Sequence, residues 1–242
     1  TYYDDYIESE WWALQQIWNK GLLYKGFKVV PYCPSCGTPL SSHEVAQGYK
    51  TIKDRTAIVR FKVKGEDAYF LAWTTTPWTL PSNIALCVNP DEEYAKVKCV
   101  DGYTYYMATA LLDTVLGPLS KDGEKAYEIL ETYKGKDLEY REYEPLYQCA
   151  ADSVAKQHKK GFIVYCDNYV TMTDGTGVVH MAPAFGEDDA RVARRYDAAF
   201  VQMVDSHGRM KPETGKFAGM RCKPTQHEMD EGAVSCDPAV LK

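Results

Sequence analysis

The chain has 242 residues, 45% hydrophobic and 26% charged, with a formal net charge of −6 at pH 7. That length can bury a sizeable core, and no apolar run approaches the ~20 residues of a membrane span. The acidic balance excludes a dedicated nucleic-acid binder with a broad basic face, so any RNA is met over a small area only. Of the eight cysteines, Cys33 and Cys36 are close and the rest are scattered. With no disulfide rhythm, they read as reduced thiols in the cytoplasm. The start, Thr1 to Trp12, is acidic and aromatic rather than a signal peptide, and without an initiator Met the chain reads as a fragment.

In chain order, Tyr6, Ile7, Trp11, Leu14, Ile17, Trp18 and Leu22 recur near helical spacing and predict an amphipathic helix over residues 5 to 23, punctuated by Gly21 and Gly26. Lys28–Tyr32 reads as a short strand entering the thiol-bearing turn Cys33-Pro34-Ser35-Cys36-Gly37, with a return segment to about Tyr49. Ala57–Lys64, Ala68–Thr74 and Tyr94–Val100 are rich in β-formers, and Tyr103–Thr109 follows the Asp101-Gly102 of a hairpin turn. Thr109–Leu116 predicts a short helix, while Tyr127–Tyr133 fits helix or strand. Gly161–Asp167 and Gly177–Met181 read as strands, Asp188–Tyr196 as a helix and Phe200–Asp205 as a further strand. Many strands and few long helices predict a β-rich α+β fold, barrel-like with peripheral helices. The expected division is a connector over 1–48, carrying the helix and the Cys-x-x-Cys ribbon, and a β-barrel domain over 49–242.

Several familiar sites are missing, among them a Gly-x-Ser-x-Gly elbow, a His-Glu-x-x-His helix and a phosphate loop. The first positive signal is Trp73-Thr74-Thr75-Thr76-Pro77-Trp78-Thr79-Leu80-Pro81-Ser82-Asn83. Its hydroxyls can bond ester oxygens, a ribose or a water, on a backbone stiffened by two prolines. Physics alone also allows a plain strand entering a Pro-rich turn. The second signal runs from Asp174-Gly175-Thr176-Gly177-Val178-Val179-His180 through Ala182-Pro183 to Gly186-Glu187-Asp188-Asp189. Its three acids either cap a helix and meet its dipole, or turn one carboxylate toward a cationic amine. His180 can be a core histidine or the wall of a pocket. The basic clusters Lys156–Lys160 and Arg191–Arg195 fit phosphate contacts or solvated helix faces.

Together these two segments resemble the signature peptides of the editing domain of isoleucyl-tRNA synthetases, and Tyr32–Val45 resembles the entry to that domain. The corresponding domains for valine and leucine carry Thr-Thr-Arg-Pro where this chain has Thr-Thr-Thr-Pro. The family's His-Ile-Gly-His and Lys-Met-Ser-Lys-Ser synthetic motifs are absent here, so ATP and Mg belong to a synthetic domain outside this sequence. Asp197–Phe200 departs from the expected Leu-Pro type of sequence, which bears on the C-terminal boundary.

The resemblance implies a deacylase that clears valine from the 3′ end of tRNA(Ile), working with the remainder of its parent synthetase and monomeric as a fragment. One methylene is worth only about 1–3 kcal/mol in a binding pocket, a limit for which isoleucine against valine is the standard instance, so a second sieve is needed. By resemblance, Thr79 and His180 wall off isoleucine, Asp189 holds the α-ammonium and Trp78 shapes the pocket. Thr74, Thr75 and Thr76 meet the terminal adenosine, the ester and the water, with Trp73 and Asn83 also lining the substrate. Catalysis is thus expected from Thr75, Thr76 and Asp189, with no cofactor. Cys33 and Cys36 are half of a tetrahedral zinc site, which the family completes with a second pair that this chain lacks. Two alternatives stay open: a non-catalytic tRNA-binding or zinc-knuckle module, and an editing domain of valine or leucine type.

Overall fold

The predicted N-terminal helix forms as α1, Asp4–Asn19, with Asp4 and Asp5 in its first turn, where the helix dipole favours negative charge. The computed structural model describes residues 1–26, 28–51, 53, 55–120, 124–224 and 226–242. Among the described residues nothing buries the apolar stripe of α1: Trp11, Trp12 and Trp18 are exposed and no residue of the helix is buried. Two-residue strands β1 (Tyr32–Cys33) and β2 (Thr38–Pro39) pair antiparallel around the cysteine turn. The strand expected from Lys28 shrinks to β1, because β2 offers only two residues to pair with. The return segment contains an unforeseen helix, α2, Ser42–Gln47. Its cause was present in Ser41-x-x-Glu44, a capping box in which Glu44 N–H donates to Ser41 Oγ at 3.3 Å and Ser41 N–H to Glu44 Oε2 at 2.8 Å.

Among the described residues the first buried one is Phe61. From there the chain builds β3 (Ala57–Lys62), β4 (Tyr69–Thr74), a 3₁₀ turn (Pro77–Ser82), β5 (Ala85–Val88), β6 (Glu93–Cys99), β7 (Thr104–Ala108) and α3 (Leu112–Leu116). It continues through β8 (Tyr127–Lys134), α4 (Gln148–Gln157), β9 (Ile163–Cys166), β10 (Val178–Met181) and α5 (Glu187–Arg195) to short helices α6 (Gln226–Asp230) and α7 (Asp237–Val240). The ambiguous stretch at Tyr127 is thus a strand, and β8 lies at the sheet edge with most of its residues exposed. The strand expected over Phe200–Asp205 does not form. Two of its N–H groups go to side chains instead, Phe200 N–H donating to Gln157 Oε1 at 2.9 Å and Met203 N–H to Ser82 Oγ at 3.0 Å, and only the isolated bridge Val204–Met210 remains.

One sheet runs β8-β6-β7-β4-β10-β5-β9, with β3 on the remaining edge of β4. The second edge of β4 is divided. Tyr69 and Phe70 pair with β7, whereas Trp73 pairs with Val179 of β10, both in parallel sense. A strand that serves two neighbours on one edge forces the sheet to splay and curl there. At the far side, the bridges Val63–Tyr143 and Glu142–Ile163 tie β3 to β9, so the curled sheet returns upon itself. This is the barrel-like, β-rich α+β architecture expected from the strand pattern. Phe61, Phe70, Leu86, Met107, Tyr143 and Val164, all at most 2% exposed, belong to its core.

Gly177 sits at φ +71°, and a Cβ there would lie 2.3 Å from the Cβ of Ala108. Gly102, at φ +90°, has nothing within 4 Å of that position. Gly102→Ala should therefore lose only the cost of a left-handed residue, about 1–2 kcal/mol. Gly177→Ala should lose about 1–3 kcal/mol more through overpacking. Urea denaturation of both variants, with the slope unchanged, checks the difference.

Candidate active site

Parallel pairing of Trp73 with Val179 sets the next residues of the two strands, Thr74 and His180, side by side. Aligned positions in parallel strands face the same way. Thr74 and His180 are buried on one face, while Trp73 and Val179 are half-buried on the other. Beyond Thr74 the chain turns sharply. Thr76 N–H donates to Thr74 Oγ1 at 3.1 Å, Thr75 stands exposed at the tip, and Thr76 is half-buried. Pro77 then opens the 3₁₀ turn, which needs no N–H from it. One turn on, Thr79 donates its hydroxyl to the Thr76 carbonyl at 2.8 Å and lies 2.7 Å from His180 Nε2. Asn83 closes the turn, with its Nδ2 3.1 Å from His180 Nδ1 and 2.9 Å from the Ala85 carbonyl. Both readings of the Thr-rich segment thus hold at once: it is a strand entering a Pro-rich turn, and it gathers hydroxyls.

The acidic cluster divides by position. Asp188 is exposed and pairs with Arg191 at 3.0 Å. Asp189, one residue on, turns inward, where Oδ1 accepts from the Tyr169 hydroxyl at 3.0 Å and Oδ2 from Ala182 N–H at 2.9 Å. Ala182 lies two residues beyond His180, so the carboxylate is tied to the strand that carries the histidine. Burial pushes the Asp189 carboxyl above the usual carboxylate range, and the bond from Ala182 only partly offsets this. Aromatic contacts bind the two segments further. Trp78 packs edge-on against Phe185 with ring centroids 4.9 Å apart, and Gly175 lies where a Cβ would be 3.0 Å from the Trp73 ring.

Arg191 and Arg195, offered by sequence as phosphate contacts or a solvated face, instead clamp a single carboxylate. Arg191 donates two bonds of 2.9 Å to Asp167, and Arg195 adds one of 2.8 Å. The clamp, led by the Arg191 bonds, holds the Asp167 carboxyl down at about 2. Two contributors went unforeseen, Tyr143, whose hydroxyl donates to Asn83 Oδ1 at 2.6 Å, and Tyr169. Neither lies in a motif, and no local pattern in the sequence marks them.

The family model for tRNA synthetases class I (I, L, M and V) matches residues 1–212. The chain belongs to that family. Among its curated relatives, the isoleucine–tRNA ligase of Clostridium acetobutylicum is 51% identical over 92% of this chain and 20% of the relative. That of Picrophilus torridus is 44% identical over 90% of this chain and 20% of the relative. The chain thus spans about a fifth of the length of the curated relatives it matches. The likeness to isoleucine–tRNA ligases read from the two peptides is borne out. A solved structure of the P. knowlesi cytosolic leucyl-tRNA synthetase editing domain is 17% identical, with a TM-score of 0.46 over 63% of this chain and 67% of that one. Among the described residues no helix of this synthetase segment is long and apolar enough to cross a membrane.

The Cys36 thiol is held below its ordinary pKa by the Thr38 hydroxyl, 3.0 Å away, and then by Cys33. Two such thiols present half of a tetrahedral set. Among the described residues no group of three or more His, Cys, Asp or Glu is gathered for a metal. Among those residues Cys33 and Cys36 stand as a pair without a third such ligand, and Cys222 and Cys236 are buried against one another.

Burial pushes His180 down from 6.5 to about 4, so the ring is neutral near pH 7. Between those values the unfolded chain takes up a proton that the folded chain refuses, so stability must fall as pH drops through that window. From pH 7 to pH 5 the loss from this group should be about 2 kcal/mol. Denaturation series of the parent chain and His180→Gln over that range check it, since the variant should lack this part of the slope.

Proposed function

We propose that this segment is the editing domain of an isoleucine–tRNA ligase and hydrolyses the ester of valine mischarged onto tRNA(Ile). The observation that carries the reading is the meeting of the Thr-rich turn, His180 and the inward carboxylate of Asp189 around one strand pairing. Asp189 is the amine anchor. A carboxylate desolvated by burial gains most from a cation, and the α-ammonium of an aminoacyl ester supplies one. The bond would be charge-assisted on both sides. His180 and Thr79 form the wall that the added methylene of isoleucine strikes. The neutral ring suits that role, because it asks for no counter-ion from an aliphatic side chain.

An aminoacyl ester is already activated, so no covalent nucleophile is required. Orienting a water and stabilising the oxyanion suffice, and no cofactor enters the step. Thr75 and Thr76 serve this role, with Thr74, Trp73, Trp78 and Asn83 shaping the seat of the terminal adenosine and amino acid. The partners are the 3′ end of tRNA(Ile) and the remainder of the synthetase, in the cytoplasm, which also holds the tRNA that an acidic segment cannot grip by charge alone.

Single-turnover deacylation of Val-tRNA(Ile) against Ile-tRNA(Ile) tests the proposal. Valyl ester should be cleaved and isoleucyl ester spared, and equal rates or no cleavage of either would overturn it. Asp189→Ala should slow valyl hydrolysis by about 10- to 100-fold, the worth of a charge-assisted bond of about 1.5–3 kcal/mol. Activity within a few-fold of the parent chain would remove Asp189 as the anchor. His180→Ala should let isoleucyl ester be cleaved while valyl ester still is, because a wall matters most to the substrate that strikes it. Equal loss on both esters would return His180 to a purely structural role.

A further inference from the structure

Four side chains form one directed chain of hydrogen bonds through the site. The direction follows from atoms that have no choice. The Asn83 amide nitrogen faces two backbone carbonyls, Ala85 at 2.9 Å and Met181 at 3.4 Å, and carbonyls only accept. Its oxygen takes the Tyr143 hydroxyl at 2.6 Å. The amide is therefore fixed with Nδ2 toward His180, and His180 Nδ1, 3.1 Å away, must accept. A neutral imidazole that accepts at Nδ1 carries its proton on Nε2. Nε2–H then donates to Thr79 Oγ1 at 2.7 Å, whose own proton is committed to the Thr76 carbonyl at 2.8 Å. Tyr143 begins this chain from the strand-like segment that joins β3 to β9, and it is 2% exposed.

We infer that Tyr143 is a specificity-determining positioning residue: by pinning Asn83 at its oxygen it fixes the ring setting of His180, and so the face that the amino-acid side chain meets. The inference rests on the editing reading given above. With the Tyr143 hydroxyl removed, Asn83 Oδ1 loses its buried donor. The Ala85 and Met181 carbonyls still hold Nδ2, so the amide keeps its sense and His180 its tautomer, but the amide is no longer pinned at its oxygen and pivots about its nitrogen. The imidazole follows at Nδ1, Nε2–H shifts against Thr79 Oγ1, and the wall changes shape. The Thr79 bond to the Thr76 carbonyl stays, and neither Asp189 nor Thr75 is touched, so valyl hydrolysis should persist.

The test uses the whole 242-residue chain, labelled with ¹⁵N, as parent and as Tyr143→Phe. Long-range ¹H–¹⁵N correlation of the imidazoles reads the tautomer without any substrate. The parent His180 should show a protonated Nε2 and a bare Nδ1, and the reverse pattern overturns the inference even if the variant does not fold. In Tyr143→Phe the Nε2–H tautomer should stay while the Nδ1 and Nε2 resonances move, and the ratio of valyl to isoleucyl ester cleavage should fall about tenfold with valyl cleavage within a few-fold of the parent. Unmoved ring resonances, or moved ones with an unchanged ratio, overturn the role of Tyr143. A parent chain that cleaves neither ester instead sinks the editing reading, while leaving the tautomer result standing.

Discussion

The site depends on a single parallel contact, Trp73 of β4 against Val179 of β10. The two segments that resemble editing signatures are about a hundred residues apart, and no local force joins them. What joins them is the divided edge of β4, which gives its first residues to β7 and its end to β10. Because parallel neighbours point their side chains the same way at aligned positions, this one register brings Thr74 beside His180. A slip of one residue would turn His180 to the opposite face and break its bonds to Thr79 and Asn83 together. The bridges through Tyr143 on the other side of the sheet hold the curl that makes this register possible.

The same burial acts on the two titratable groups in opposite senses. Desolvation drives His180 toward its neutral form by lowering its pKa, and favours the neutral form of Asp189 by raising it. Asp189 is half-buried and takes two donors that support its charged form. His180 has neutral partners on both nitrogens and no carboxylate among them. The Asp167 clamp, with two arginines on one carboxylate, lies on the far face of the same helix and fixes α5 so that Asp189 points inward.

Much of this was legible in the sequence, for identifiable reasons. β3, β4, β6 and β7 announced themselves because one face or both are apolar and turn residues bound them. Asp101-Gly102 in particular makes the hairpin between β6 and β7. β5 escaped notice because all four of its residues are buried, and a continuous apolar run carries no period to read. α4 was missed because only Ala150 and Val154 of its residues are buried, too sparse a stripe to count. The strand expected at Phe200 failed because periodicity cannot tell a ladder from a backbone whose groups are taken by Gln157 and Ser82. At the site, the motif residues were readable, whereas Tyr143 and Tyr169 contribute one hydroxyl each from segments without any pattern.

The contrast between α1 and the barrel shows the other limit of pattern reading. A helical period in α1 predicted both a helix and a buried face, and only the helix is formed within this chain. Periodicity fixes which residues share a face, but burial needs a second surface of matching shape, and nothing in the spacing says which chain supplies it. In the barrel the matching surfaces lie within the chain, some local, as where β3 meets β4 across a turn at Gly65, and some distant, as where β4 meets β10. The site follows the barrel in this respect. Among the described residues, the hydrogen bonds that orient the His180 ring and the Asp189 carboxylate come from residues between Thr76 and Asp189, so this geometry is built by the fold of the segment itself.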